Sequence, residues 1–369
     1  MLNGKFCTLA CAVALGLSCS SASLASDSPF TRAYRDYQTS VQAGDVAEIE
    51  SRAAAAYLLG QSIYAKDSLD LTNLALNWAT ALSGLSAQFP MTEDGKRHRS
   101  QAYRLYETAL VVYVQHYGEQ ALELIDPLLG AGGSADEPKD AKRHLEHAID
   151  IAERNDNSRL VADAKMAAFN TLSKTNLYTP KVRNYAFEAY DIYRQTLPEN
   201  ALVRVKATFI VGAIKFSQKQ DNEAEALLLE VIKQFDVLDY THPFALSAHA
   251  YLVELYERQD EREKSTRHCI AIGSMRPWSE TQEQTPLFRV APDYPMSYRK
   301  QHKNGWVQVD FTVDENGFVT NPVVIASQGG SLFERESLKT IKKWRYAPKF
   351  VDGKPSPAQT RTMLEYRID

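Results

Sequence analysis

The sequence predicts an α+β multidomain chain, in which an all-α solenoid of helical hairpins precedes a small α/β domain with a three-stranded antiparallel sheet and two helices. Three observations carry that prediction. From about Phe30 to Ile272, amphipathic segments rich in Ala, Leu, Tyr and Glu follow one another, with Gly and Pro mainly at the breaks. A polar, Pro-punctuated stretch from Met275 to Pro292 then interrupts the pattern. Beyond it the period changes to two, with Val307, Val309, Phe311 and Val313 alternating with Gln308, Asp310 and Thr312. The boundaries read from these changes are an export signal over 1–25, a helical domain over 26–275, a linker over 276–292 and a terminal domain over 293–369.

A chain of 369 residues has material for two or three domains, each with its own core. A net charge of −4 leaves no basic footprint, so nucleic acid is not expected as a partner. At the front, Lys5 precedes an apolar run from Phe6 to Cys19, about 14 residues, shorter than the roughly 20 a membrane-spanning helix needs. Ser23-Leu24-Ala25 supplies the small residues a signal peptidase reads, which predicts cleavage between Ala25 and Ser26 and a soluble periplasmic protein. Two alternatives stay open: an uncleaved segment acting as an inner-membrane anchor, and a lipoprotein at Cys19. Against the second, Gly16-Leu17-Ser18 puts Leu in the wrong place. Cleavage leaves Cys269 as the single thiol, so no internal disulfide is expected, and Cys269 reads as a small buried helix residue.

Within the helical part, Phe209 to Phe216 with Gly212, a turn at Gln218 to Asp221, and Glu223 to Phe235 read as one helical hairpin. Gly212 and Ala224 allow close approach, while Phe216, Leu228 and Val231 form the apolar seam. This arrangement resembles a tetratricopeptide (TPR) unit. A comparable unit spans Ala248 to Ile272, with Tyr256 before the turn at Gln259-Asp260. The two Gln-Asp turns stand about 39 residues apart, longer than the roughly 34-residue TPR period, so a non-repeating helical domain is the alternative. Earlier hairpins are expected at the turns Gly44-Asp45 and Tyr117-Gly118. The stretch Gly130-Ala131-Gly132-Gly133-Ser134 lacks a preceding strand and a Gly-Lys-Ser/Thr ending, and is expected to be a flexible loop between hairpins rather than a phosphate loop.

In the terminal domain, Pro295 and Gly305 frame a short helix over Met296 to Lys303. Asn316-Gly317 predicts a hairpin turn, and Pro322 in the returning strand predicts a bulge or an edge. Ser331 and Glu334 form a capping-box pattern. Phe333, Ser337, Leu338, Ile341 and Trp344 then share one helical face, and the helix is expected to end at Ala347-Pro348. After a turn at Asp352-Gly353, Leu364, Tyr366 and Ile368 face inward, and Met363, Glu365 and Arg367 outward. Trp306, Trp344 and Tyr346 read as core, Arg345 and Arg367 as solvated. A sheet covered on one face leaves the last strand at an edge, where an extended peptide can add as a further strand.

The order and spacing of Tyr294-Pro295, Gly305 to Asp314, Gly317-Phe318-Val319, Trp344 to Pro348 and Leu364 to Ile368 is similar to the C-terminal domain of the TonB family. The resemblance implies a TonB-type domain that docks on an outer-membrane TonB-dependent receptor and takes part in energy-dependent uptake across the outer membrane. It implies that Thr360, Thr362, Met363, Leu364, Glu365, Tyr366, Arg367 and Ile368 pair with the receptor's TonB box. It places Arg289, Val290, Asp293, Tyr294 and Pro295 near the receptor plug. Its inner-membrane partners would be ExbB and ExbD. TonB anchors carry a His in the apolar segment, and Phe6 to Cys19 has none. A second function therefore stays open: a periplasmic TPR-type scaffold or adaptor, binding receptor peptides or an unknown protein partner of the helical region without energy coupling.

His144 and His147, spaced i, i+3, share a helix side with Glu146 and Asp150 nearby; that spacing can hold zinc, and a solvated helix face accounts for it as well. No nucleophile elbow, His-Glu-x-x-His pair or dinucleotide fingerprint occurs, so no catalytic residue, cofactor or metal is expected.

Overall fold

The computed structural model describes residues 28–235, 242–275 and 285–368. The expected export signal with its cleavage position between Ala25 and Ser26, Cys19, and residues 276–284 of the expected linker lie outside them. The chain forms two compact units, one ending at Thr196 and one beginning at Leu197.

In the first unit α1 (Pro29–Ala43), α2 (Val46–Gly60), α3 (Leu69–Gln88), α4 (Glu93–Tyr117), α5 (Ile125–Ser134), α6 (Pro138–Arg154), α7 (Ser158–Leu172) and α8 (Pro180–Thr196) each pack on the next. Their ends are set locally. Gly44, at φ 81°, closes α1, and the Asp45 carboxylate accepts from the amides of Ala47 and Glu48 to open α2. Gly118, also at positive φ (88°) but with an extended ψ, closes α4, its amide donating to the Val114 carbonyl. Alanines at 79, 102, 131, 148 and 152 line the core beside Leu82, Tyr106, Leu124 and Leu128, so helix axes approach closely.

The glycine-rich stretch is not a loop. Gly130 to Ser134 form the last turns of α5, because two of the glycines lie under neighbouring side chains. A Cβ on Gly130 would stand 2.3 Å from the Tyr106 ring, and one on Gly132 2.5 Å from Leu145. The loop comes later, before Pro138 at the first turn of α6.

The second unit opens with α9 (Leu202–Ser217), α10 (Asp221–Phe235), α11 (Pro243–Arg258) and α12 (Arg262–Met275), the two hairpins expected from sequence, with the first helix longer than expected. Lys219 and Asp260 take left-handed conformations, φ 61° and 58°, at the two corresponding turns. Gly212 lets α9 lie against Leu227 and Leu228.

There follow α13 (Met296–Lys300), β1 (Gly305–Val313), β2 (Val319–Gln328), α14 (Ser331–Ile341), the hairpin β3 (Lys349–Val351) and β4 (Lys354–Ser356), and β5 (Ala358–Tyr366). The sheet is antiparallel in the order β2-β1-β5. Val307, Val309, Phe311 and Val313 occupy its covered face with Phe333, Ile341, Trp344, Tyr346, Leu364 and Tyr366. The Asn316-Gly317 turn forms as expected, with Gly317 at φ 81°. Asp310 pairs with Val323 and Thr312 with Thr320, so Asn321-Pro322 carries the extra residue of a bulge.

Several local expectations give way to packing. The short helix stops at Lys300 and Gly305 opens β1 instead of ending the helix, since a Cβ there would meet the Gln328 carbonyl at 2.2 Å. The capping box does not form: Gly330, at φ 117°, is the N-cap of α14, and Glu334 accepts from Ser327 Oγ at 2.5 Å. The helix ends at Ile341, freeing Trp344, Arg345 and Tyr346 to run extended. Trp306 is half-buried on the uncovered face of the sheet, its Nε1 donating to Gln328 Oε1. Arg345, read as solvated, is buried. Among the described residues no helix is long and apolar enough to cross a membrane.

Two glycines of α5 give opposite expectations. Gly132→Val forces Leu145 aside and should destabilise the chain by about 1–3 kcal/mol in urea unfolding. Gly133→Ala, with open space around it, should leave stability unchanged or slightly higher.

Candidate peptide-docking edge

A sheet of three strands satisfies the backbone of only its middle one on both sides. β1 is that strand, with β5 paired to it without interruption from Gly305↔Tyr366 to Val313↔Ala358. The far side of β5 meets no other strand among the described residues. The same holds for β2, yet β2 is interrupted twice in register and contains Pro322, which has no amide to donate. Among the described residues, a nine-residue unbroken edge therefore exists at β5 alone.

The inward side of β5 is held firmly. Leu364 and Tyr366 are buried, the Tyr366 ring stacks on Phe333 at 4.2 Å, and its hydroxyl lies 2.8 Å from Ser337 Oγ. The outward side faces the uncovered surface of the sheet. There Arg361 grips Asp310 through two hydrogen bonds of 2.5 and 2.8 Å, which hold the Asp310 carboxyl below the usual carboxylate range. Gln359 Nε2 donates to Thr312 Oγ1, Glu365 pairs with Arg367, and Met363 stays open to solvent. These contacts keep the side chains of β5 on the faces of the sheet and away from its free backbone.

Of the residues assigned to strand pairing, Thr360, Thr362, Met363, Leu364, Glu365 and Tyr366 lie within β5. Arg367 and Ile368 follow its end, and the Ile368 amide donates to Asn304. The second predicted group lies along the chain entering the domain. Arg289 sits over the Trp344 ring, the Val290 carbonyl accepts from Trp344 Nε1 at 2.8 Å, and Asp293 lies 3.7 Å from Lys339. Tyr294 packs edge-on against Phe333 and Tyr366 and donates its hydroxyl to the Lys303 carbonyl, and Pro295 is the N-cap of α13.

The histidines of α6 do not converge. His144 is buried beside Tyr103 and 3.1 Å from Glu107, and burial pushes its pKa down. His147 reaches the Glu119 carbonyl, Glu146 binds Lys181, and Asp150 binds Arg154. A cleft of about 550 Å³ lined by Glu146, Asp150, Glu153, Lys165, Lys181 and Glu188 is occupied by its own ion pairs. Burial works against the Lys165 charge, but Glu153 and Glu188, at 2.7 and 2.5 Å, outweigh it and raise the pKa. Among the described residues no group of three His, Cys, Asp or Glu is placed to share a metal ion.

Sequence reasoning missed Arg345 and its partner Glu257. The available signals were an acidic residue on the largely apolar α11 and a cation between two buried aromatics. It also missed a histidine pair: His249 Nδ1 lies 2.7 Å from His268 Nδ1. Burial foremost, then His249 and Arg267, push His268 down to about 4 from 6.5. The unfolded chain thus binds a proton between those values that the folded chain does not. The stability contributed by neutral His268 is complete above pH 6.5 and is lost as pH falls toward 4. Scanning calorimetry should show Tm falling over that window, and His268→Gln should flatten the slope. Cys269, the free thiol beside it in sequence, is buried and pushed up to about 11, so it stays protonated.

Residues 290–368 match the family model described as Gram-negative bacterial TonB protein C-terminal. Protein TonB of Klebsiella pneumoniae is 31% identical over 83 residues, covering 22% of this chain and 32% of that protein. Protein TonB of Escherichia coli K12 is 35% identical over 69 residues, covering 19% of this chain and 27% of that protein. The chain thus spans about a third or less of the length of the curated relatives it matches. Among solved structures, the solution structure of the Pseudomonas aeruginosa TonB C-terminal domain is 28% identical with a TM-score of 0.22, covering 24% of this chain and 91% of that one. A Podospora anserina protein of nearly identical TPR-like repeats is 13% identical with a TM-score of 0.29, covering 67% of this chain and 93% of that one.

Proposed function

We propose, from the membership of residues 290–368 in the TonB C-terminal family, that this chain docks on outer-membrane TonB-dependent receptors by adding the receptor's TonB box to β5. The observation that carries the reading is the uninterrupted free edge of β5 in the matched domain. Affinity in strand addition comes from main-chain hydrogen bonds, with side chains on the two faces supplying selectivity. Thr360, Thr362, Leu364 and Tyr366 present the inward face, and Met363 and Glu365 the outward one. Arg367 and Ile368 extend the pairing past the end of the strand, and Arg289 to Pro295 lie toward the receptor plug.

Docked in this way, the chain takes part from the periplasm in energy-dependent uptake across the outer membrane, with ExbB and ExbD as the source of energy. In this role an export signal over 1–25 precedes a helical domain over 26–275, a linker over 276–292 and the docking domain over 293–369. The helical hairpins are its second binding surface, for a protein partner. If a receptor peptide binds while ExbB and ExbD do not co-purify with the full chain, the adaptor role without energy coupling is the one that stands.

The test is an NMR titration of the full chain with a synthetic peptide carrying a receptor TonB box. Amide shifts and new exchange protection should concentrate at alternate residues of β5. A proline placed in the centre of the peptide should weaken binding at least about tenfold, because it removes a donor and fixes φ. Shifts on β2 in place of β5, or none at all, would overturn the reading.

A further inference from the structure

The hairpin α11–α12 and the C-terminal sheet belong to the same compact unit, and a buried charge pair joins them. Arg345 is 1% exposed, first by size among the fully buried side chains. Its Nη1 donates to Glu257 Oε1 at 2.5 Å, and its Nη2 donates to Thr266 Oγ1 and to the Asn316 carbonyl, both at 2.9 Å. The guanidinium lies 3.7 Å above the centre of the Phe318 ring. Its backbone makes bridges to Phe288 on one side and Phe318 on the other. One residue thus ties together α11, α12, the β1–β2 turn and the segment entering the domain.

The surroundings are shaped for this contact. Val253, Cys269 and Ile272 form a small core with Leu287, Phe288 and Ala347 against them. Two glycines set the separation. A Cβ on Gly273 of α12 would stand 2.5 Å from the Pro348 carbonyl oxygen, and one on Gly317 3.3 Å from Cys269 Cβ and 2.1 Å from the Tyr346 carbonyl oxygen. Glu257 is itself oriented by Ser265 Oγ at 2.5 Å. Desolvating a guanidinium and a carboxylate is costly and is offset only where geometry and added hydrogen bonds are good. Three acceptors, an aromatic face and two glycine clearances work toward that condition, with Arg345 Nε left without a hydrogen-bond partner; a loose encounter of two domains on a tether would supply none of them.

We infer that α11–α12 is a built-in partner of the strand-docking domain, with Arg345 as the clamp, so that the working unit comprises α11, α12 and the sheet. On the docking reading above, a pull on β5 passes through β1 and the β1–β2 turn into Arg345, and from there into Glu257 and Thr266 on the helices. The covalent connection is then not the sole path by which force reaches the helical hairpins.

Hydrogen exchange of the full chain, followed by mass spectrometry, tests this. Glu257→Gln keeps the shape but leaves the Arg345 charge uncompensated. Peptides covering Leu287–Phe288, the β1–β2 turn and Trp344–Tyr346 should exchange about 100-fold faster or more, with α3 to α8 unchanged. Unchanged exchange in those peptides would overturn the inference. If that variant does not fold, Gly273→Ala decides by sign. Alanine is the better helix former, so an α12 with nothing against it would gain thermal stability. A clamped α12 loses it, and a rise in Tm overturns the inference while a fall supports it. Peptide binding by the unaltered chain is read in parallel: its absence strikes the docking reading and leaves the exchange result to judge the clamp.

Discussion

The pairing of backbone groups along β1 is the constraint on which the C-terminal domain depends. A polar backbone cannot be buried unpaired, and β1 meets the requirement by lying between two strands. Its period-two pattern then puts Val307, Val309, Phe311 and Val313 on one face, which α14 and the extended Trp344–Tyr346 segment must cover. What remains is two edges and one open face. The chain treats the edges differently: β2 is bulged at Asn321-Pro322, whereas β5 runs straight with its charged side chains, Arg361 and Glu365, held on the sheet's open face. An edge that is continuous yet flanked by charge resists indiscriminate association and stays available to an extended peptide.

A second device recurs in both compact units. Glycine is used where one backbone must pass close to another group. Gly132 lies beneath Leu145, Gly212 against Leu228, Gly273 against Pro348 and Gly305 against Gln328. For the three in helices, Gly132, Gly212 and Gly273, the propensity cost is roughly 1 kcal/mol each relative to alanine, which closer packing offsets. The burial of Arg345 depends on the same device, because a side chain at 273 or 317 would hold the helices and the sheet apart.

Much of the fold was legible from local rules. The helical hairpins at 209–235 and 248–272, the turns at Gly44-Asp45 and Asn316-Gly317, the bulge at Pro322 and the edge position of the last strand all follow from periodicity and turn chemistry. The failures share one cause. Gly130 to Ser134 has the composition of a loop, and a helix forms there because Tyr106 and Leu145 fill the space over its glycines. Ser331 and Glu334 have the spacing of a capping box, but Gly330 takes the cap at φ 117°, where a Cβ would stand 2.5 Å from the Tyr298 hydroxyl. In each case a contact distant in sequence outweighed a preference worth about 1 kcal/mol.

By itself the sequence determined the period of each segment, the positions where the chain must turn, and hence which strand ends at an edge, since these depend on neighbours within a few residues. Only the tertiary structure decided that Arg345 is buried against Glu257, that His249 meets His268, and that α11–α12 belongs with the sheet. The free energy of a charge or an imidazole depends on how much water is removed from it. That is set by residues nearly 90 positions away, as Glu257 is from Arg345. The free edge of β5 was therefore readable in advance, and the clamp behind it was not.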